Sequence, residues 1–153
     1  MKPLIVYDSW LAKTFLFPNY STIMLLGMVF SKLSFSQMVP RIRVHESIHC
    51  YQYFECAVLG AVIMSVVILL TDISWWWILT SLLTFYVLYL VEWIISFIYH
   101  LFFDSKRDPI SDENKQTYYA SALEMEAKEN ESDPRYLDNR WFKYKFFKYY
   151  GKI

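Results

Sequence analysis

Between Ala57 and Phe103 the chain carries a formal charge only at Asp72 and Glu92. Few folds tolerate so long a charge-poor stretch. Its two apolar runs, Ala57–Leu70 and Trp75–Phe103, are separated by the short polar turn Thr71-Asp72-Ile73-Ser74. The first run measures about 21 Å as a helix and the second about 43 Å. A bilayer core of ~30 Å therefore requires the first span to begin earlier, near Tyr53 or Phe54. Two transmembrane helices are expected, at about 54–71 and 75–101. The soluble alternative is a buried helical hairpin, but a chain of 153 residues has little material to cover both helices on all sides. An apolar content of 56%, above the ~45–50% of ordinary soluble domains, points the same way.

The remaining composition narrows the function classes. Fifteen basic residues balance fifteen acidic ones, which leaves no electrostatic argument for a nucleic-acid partner. With only three glycines an all-β or loop-rich fold is disfavoured, and the length fits one domain over residues 1–153. Cys50 and Cys56 lie six apart on one expected helix, a poor separation for a bridge, and both are read as reduced thiols. Residues 1–20 lack the pattern of a secretory signal.

Upstream of the apolar runs stands His45-Glu46-Ser47-Ile48-His49, an H-E-x-x-H sequence. Pro40 suits a first helical turn, and the pattern from Arg41 to Thr71 contains no further proline. On such a helix residues four apart lie one above the other, so His45 and His49 can offer two imidazole nitrogens to one Zn²⁺. Glu46 lies beside that face and can accept a proton from an attacking water. Average residue usage would produce this motif by accident in roughly a few chains per thousand of this length. A catalytic zinc normally takes three protein ligands. The only other histidine is His100, but the acidic helical stretch Ser121–Ala127 offers Glu124 and Glu126.

An antiparallel hairpin turning near Ile73 sets Glu92 beside Glu55, Ser96 beside Tyr51 and His100 beside Ser47, to within a turn. Glu92, Ser96 and His100 share one helix face. Glu92 either accepts a hydrogen bond from a ligand histidine, or snorkels near the interface or pairs with a basic residue such as Arg41 or Arg43. His100 is either a hydrogen-bond donor to the reacting group, a further metal neighbour, or an interfacial aromatic.

At the N-terminus Leu4–Tyr7 reads as a short strand, followed by a helical turn through Leu16 capped by Asp8 or Ser9. Thr22–Lys32 reads either as a strand pairing with Ser34–Val39 across Ser31-Lys32-Leu33, or as an interfacial apolar helix. Asp104–Asn114 is a polar loop, Tyr118–Glu131 a helix outside the membrane, ended by Asp133-Pro134. The Lys- and aromatic-rich tail Trp141–Tyr150 suits either an anionic membrane surface or a last packed helix. Basic residues flank the hairpin but are missing from its turn, which places both termini, and with them the active face, in the cytoplasm.

His45-Glu46-Ser47-Ile48-His49 followed by a helical Glu124 resembles the gluzincin arrangement of zinc metallopeptidases. Leu123-Glu124-Met125-Glu126-Ala127 is similar to the E-x-x-A-D ending of membrane-embedded peptidases of the prenyl-protein and heat-shock types. Gln52, just after the motif, adds a likeness to small bacterial H-E-x-x-H inner-membrane proteins. About 30 residues carry the resemblance. It implies His45, His49 and Glu124 as zinc ligands, with Glu126 as a rival third ligand, and Glu46 as general base. Glu92, His100 and Gln52 are candidates for the surrounding hydrogen-bond shell. One position departs from the pattern: Lys128 stands where those relatives carry an aspartate, so the carboxylate that usually supports the ligands is missing there. The expected fold is mainly α and membrane-embedded. A long zinc-motif helix continues into a two-helix hairpin, with short N-terminal strands and cytoplasmic C-terminal helices. The implied activity is hydrolysis of a peptide or membrane-protein substrate near the bilayer. The alternatives are a metal-binding protein without turnover and a structural membrane protein in which the motif is coincidental.

Overall fold

A computed structural model describes residues 3–18, 20–103, 121–140 and 143–150, with the side chains of 99–101 and 103 left undescribed. The chain is mainly helical, with one small sheet. The described residues group into two compact units, residues 1–55 with 127–143 and residues 56–126 with 144–153. Two helices pass from one grouping into the other. They are α2 (Pro40–Thr71) and α4 (Ala122–Asn130).

In the first unit β1 (Leu4–Val6), α1 (Trp10–Phe15), β2 (Thr22–Leu25) and β3 (Met28–Ser31) precede α2. The sheet has the order β1-β3-β2, with β1 parallel and β2 antiparallel to β3. Thr22–Lys32 is thus neither one strand nor a helix. It is a hairpin closed on itself by Leu26-Gly27, and the expected partner Ser34–Val39 is not a strand. The reason is local backbone geometry. Leu26 (φ 49°) and Gly27 (φ 76°) both occupy the left-handed region that a two-residue hairpin turn requires. Gly27 also has no room for a Cβ, which would lie 2.9 Å from Phe54 Cζ and 3.0 Å from Tyr53 Cδ1. The hairpin tip is therefore pressed onto α2 at Tyr53–Phe54, while at its other end Thr22 reaches Glu46. Ser9 does precede α1 as expected, but its side chain makes no cap hydrogen bond.

Pro40 begins α2, and the helix runs unbroken to Thr71. Its side chains Val44 and Ile48, one turn apart, are buried against Ala127 of α4, with Tyr136 and Leu137 closing the cluster. The methyl side chain of Ala127 permits this close approach. Glu55 is buried in an ion pair with Arg140 at 2.6 Å, both side chains almost wholly inaccessible. Asp133 ends the preceding turn and caps a short 3₁₀ segment, Pro134–Asn139, through the Arg135 amide.

In the second unit the rest of α2 is followed by a 3₁₀ segment, Trp75–Leu83, and α3 (Thr84–Phe103). Pro40–Thr71 and Trp75–Ile98 are each long and apolar enough to cross a membrane. Their outward side chains are left exposed, among them Leu69 (81%) and Leu70 (79%). Gly60 marks where the two helices touch, because a Cβ there would overlap Thr84. This contact lies three positions from the expected register, inside the one-turn margin. Among the described tail residues Phe146 and Tyr149 are buried, in a short 3₁₀ turn, Lys145–Tyr149. The polar loop expected at Asp104–Asn114 lies outside the described residues, as does the beginning of the helix expected from Tyr118.

Candidate metal centre

One helical turn of α2 separates His45 from His49, and their rings meet edge to face with centroids 4.8 Å apart. The two Nε2 atoms face each other at 3.1 Å. Each ring is held from behind. His45 Nδ1 lies 3.1 Å from Glu131 Oε2, and His49 Nδ1 lies 2.8 Å from Gln52 Oε1. Both partners present acceptor oxygens, which favours the tautomer that carries its proton on Nδ1 and turns the Nε2 lone pairs inward. Two lone pairs facing each other at this distance suit a cation or a shared proton between them. Glu124 completes the set. The ligand atoms of His45, His49 and Glu124 all lie within 4.8 Å of one another, so the trio can hold a metal ion.

The residues fit zinc. With Zn–N bonds of ~2.0–2.1 Å, two ligands of a tetrahedron lie about 3.3 Å apart, close to the observed 3.1 Å between the imidazole nitrogens. Two imidazoles and one carboxylate are also a donor set typical of catalytic zinc, which keeps a fourth position for a reactant.

Glu131 is the support that sequence reasoning missed. Its Oε1 accepts from Arg41 Nε at 2.7 Å and from Arg41 NH2, and Lys128 lies 3.4 Å away. Burial pushes its carboxyl up, but the Arg41 hydrogen bond and the charges of Lys128, His45 and Arg41 outweigh this and hold it below the usual carboxylate range. It is therefore an anion that can orient His45. Lys128, the position that departs from the resembled pattern, lies against this same carboxylate. The spacing carried a signal, since Glu131 follows Glu124 by seven residues, two helical turns.

The other anticipated residues are placed as follows. Glu46 accepts a hydrogen bond from Thr22 Oγ1 at 2.5 Å, so β2 fixes the orientation of the candidate base. Gln52 stands behind His49. Glu126 is buried but does not belong to the metal-competent group among the described residues. Glu92 has other partners than those expected, and it is buried. Rather than meeting a ligand histidine or an arginine, it accepts from Ser121 Oγ at 2.6 Å, from the Leu123 amide at 3.5 Å and from the Tyr150 hydroxyl. A carboxylate there accepts from the Leu123 amide in the first turn of α4, where helix amides lack partners of their own. Burial, and then the bond to Glu92, raise the Tyr150 hydroxyl above its ordinary value, so it stays protonated and remains a donor. The side chain of His100 lies outside the described residues. Tyr89, not anticipated, donates to Glu124 Oε1 at 2.9 Å.

Compared with family models, curated proteins and solved structures, the chain matches none.

Proposed function

We propose that the chain is a zinc-dependent membrane peptidase of gluzincin type. The observation that supports this most is the pair of facing Nε2 atoms, 3.1 Å apart, each fixed by an acceptor behind the opposite ring nitrogen. A cation between the two nitrogens relieves the repulsion of facing lone pairs, and the Glu124 carboxylate beside them supplies a third, anionic donor for it.

In this reading His45, His49 and Glu124 hold the zinc. Zinc bound there would acidify a water and polarise a scissile carbonyl. Glu46 accepts the proton of the attacking water and later delivers it to the departing amine. Thr22 keeps the Glu46 carboxylate in one rotamer, and Glu131 and Gln52 keep both imidazoles in the tautomer that presents Nε2.

Two helices apolar and long enough to cross a membrane support a location of this chemistry at a bilayer surface. From Thr71 back to His49 is about 33 Å of helix, a little more than a ~30 Å hydrocarbon core. Trp75, Trp76 and Trp77, all exposed, suit the opposite interface as an aromatic belt. The substrate is then a peptide or membrane-protein segment at the headgroup level, and positive-inside logic assigns that surface, with both termini, to the cytoplasm. A membrane protein that binds metal without turnover shares every feature except proton transfer. The deciding experiment is Glu46→Gln in detergent-purified protein incubated with a peptide library. Zinc should be retained and hydrolysis lost, and a variant that cleaves as fast as wild type rejects Glu46 as the base.

A further inference from the structure

Resting on the zinc reading above, we infer that Tyr89, from the apolar helix α3, is a positioning residue that sets how Glu124 binds the metal. Tyr89 donates its hydroxyl proton to Glu124 Oε1 at 2.9 Å, and Glu124 is almost fully buried. A carboxylate can grip a cation with one oxygen or with two. A phenol bonded to one oxygen competes for its lone pairs and turns the carboxyl plane, which favours binding through a single oxygen.

The same helix holds the start of α4. Glu92, three residues after Tyr89 and on the same face of α3, accepts from Ser121 Oγ and the Leu123 amide. Adjacent positions on α3 therefore grip adjacent positions on α4. Glu92 fixes where the helix begins, and Tyr89 fixes the carboxylate in its first turn. The third ligand comes from a nine-residue helix, too short to be rigid alone. Its orientation is borrowed from the apolar helix beside it. A single-oxygen grip by Glu124 keeps zinc four-coordinate with one position open for the reactant, whereas a two-oxygen grip would crowd that position.

The test is Tyr89→Phe, which removes one oxygen and keeps the ring. Wild type and variant are purified in detergent, stripped, and titrated with zinc against a chromophoric chelator. They are then loaded with cobalt for visible absorption and with zinc for X-ray absorption at the metal edge. The variant should bind zinc about 10- to 100-fold more weakly. Its cobalt bands should lose intensity as the coordination number rises. Equal affinity and an unchanged cobalt spectrum would overturn the role of Tyr89 while leaving the zinc site standing. A wild type that takes up neither metal would overturn both. Should the variant prove unstable without metal, edge spectra of its loaded form still decide, because an unaltered coordination number refutes the inference.

Discussion

Replacing Glu131 by alanine isolates the support of the candidate metal centre from its ligands. The carboxylate orients His45 through a 3.1 Å contact to Nδ1 and otherwise serves Arg41 and Lys128. Those two cations are well exposed, at 58% and 46% of their side chains, so on losing Glu131 they regain water and their release costs little. His45 is only 16% exposed and loses the acceptor that fixes its tautomer. The cost should therefore fall on the metal. Removing a hydrogen-bond partner of a ligand histidine typically weakens affinity 10- to 100-fold, or about 1.4–2.7 kcal/mol. Glu131→Gln retains an oxygen acceptor without the charge and should fall between wild type and alanine. Arg41→Ala should change zinc affinity by less than Glu131→Ala, because it leaves the His45 contact in place. The assay is competitive zinc titration in detergent at fixed neutral pH. If Glu131→Ala binds zinc within twofold of wild type while His49→Ala does not bind, the assignment of Glu131 as support is wrong.

Further outcomes follow from the same geometry. Arg140→Ala leaves Glu55 buried without its guanidinium and should destabilise the fold by about 3–5 kcal/mol, read as a lowered thermal midpoint in micelles. Arg140→Met combined with Glu55→Gln should recover much of that loss. Gly60→Ala should destabilise the contact with Thr84, and adding Thr84→Ala should relieve part of it, whereas independent effects would simply add. Glu131 contributes stability above its unfolded-state carboxyl value, and the contribution is lost as pH falls through its depressed folded value. Metal-free Glu131→Gln should therefore show a shallower acid destabilisation than wild type, and equal slopes would deny the shift. A reporter fused after Ile153 should read as cytoplasmic, and an exported reading would reverse the assigned orientation.

The helical frame was legible because its signals are local and redundant. Pro40 opens α2, no proline interrupts it before Thr71, and the H-E-x-x-H spacing has meaning only on a helix. The strand pairing was not legible, because Leu26 carries no turn signature. Its left-handed backbone is imposed by the hairpin and by Gly27 packing against Tyr53 and Phe54. The sequence prefers Glu124 to its rival Glu126 only through the resemblance, and two residues apart on a helix they point in nearly opposite directions. The packing of Ala127 on Val44 and Ile48 chooses between them, since Ala127 shares a face with Glu124 at a spacing of three. Glu55 and Arg140 illustrate a different limit: the two ends of that pair lie 85 residues apart, and nothing in either neighbourhood announces the other. The sequence showed Lys128 where the resembled peptidases carry an aspartate and gave no replacement for it, and the carboxylate found beside His45 is Glu131.

Metal content tests the central claim most directly. Wild-type protein purified in detergent without chelators, alongside His49→Ala, should contain about one zinc per chain by elemental mass spectrometry, and the variant should contain almost none. Wild type with no stoichiometric metal, or His49→Ala with as much zinc as wild type, would contradict the account.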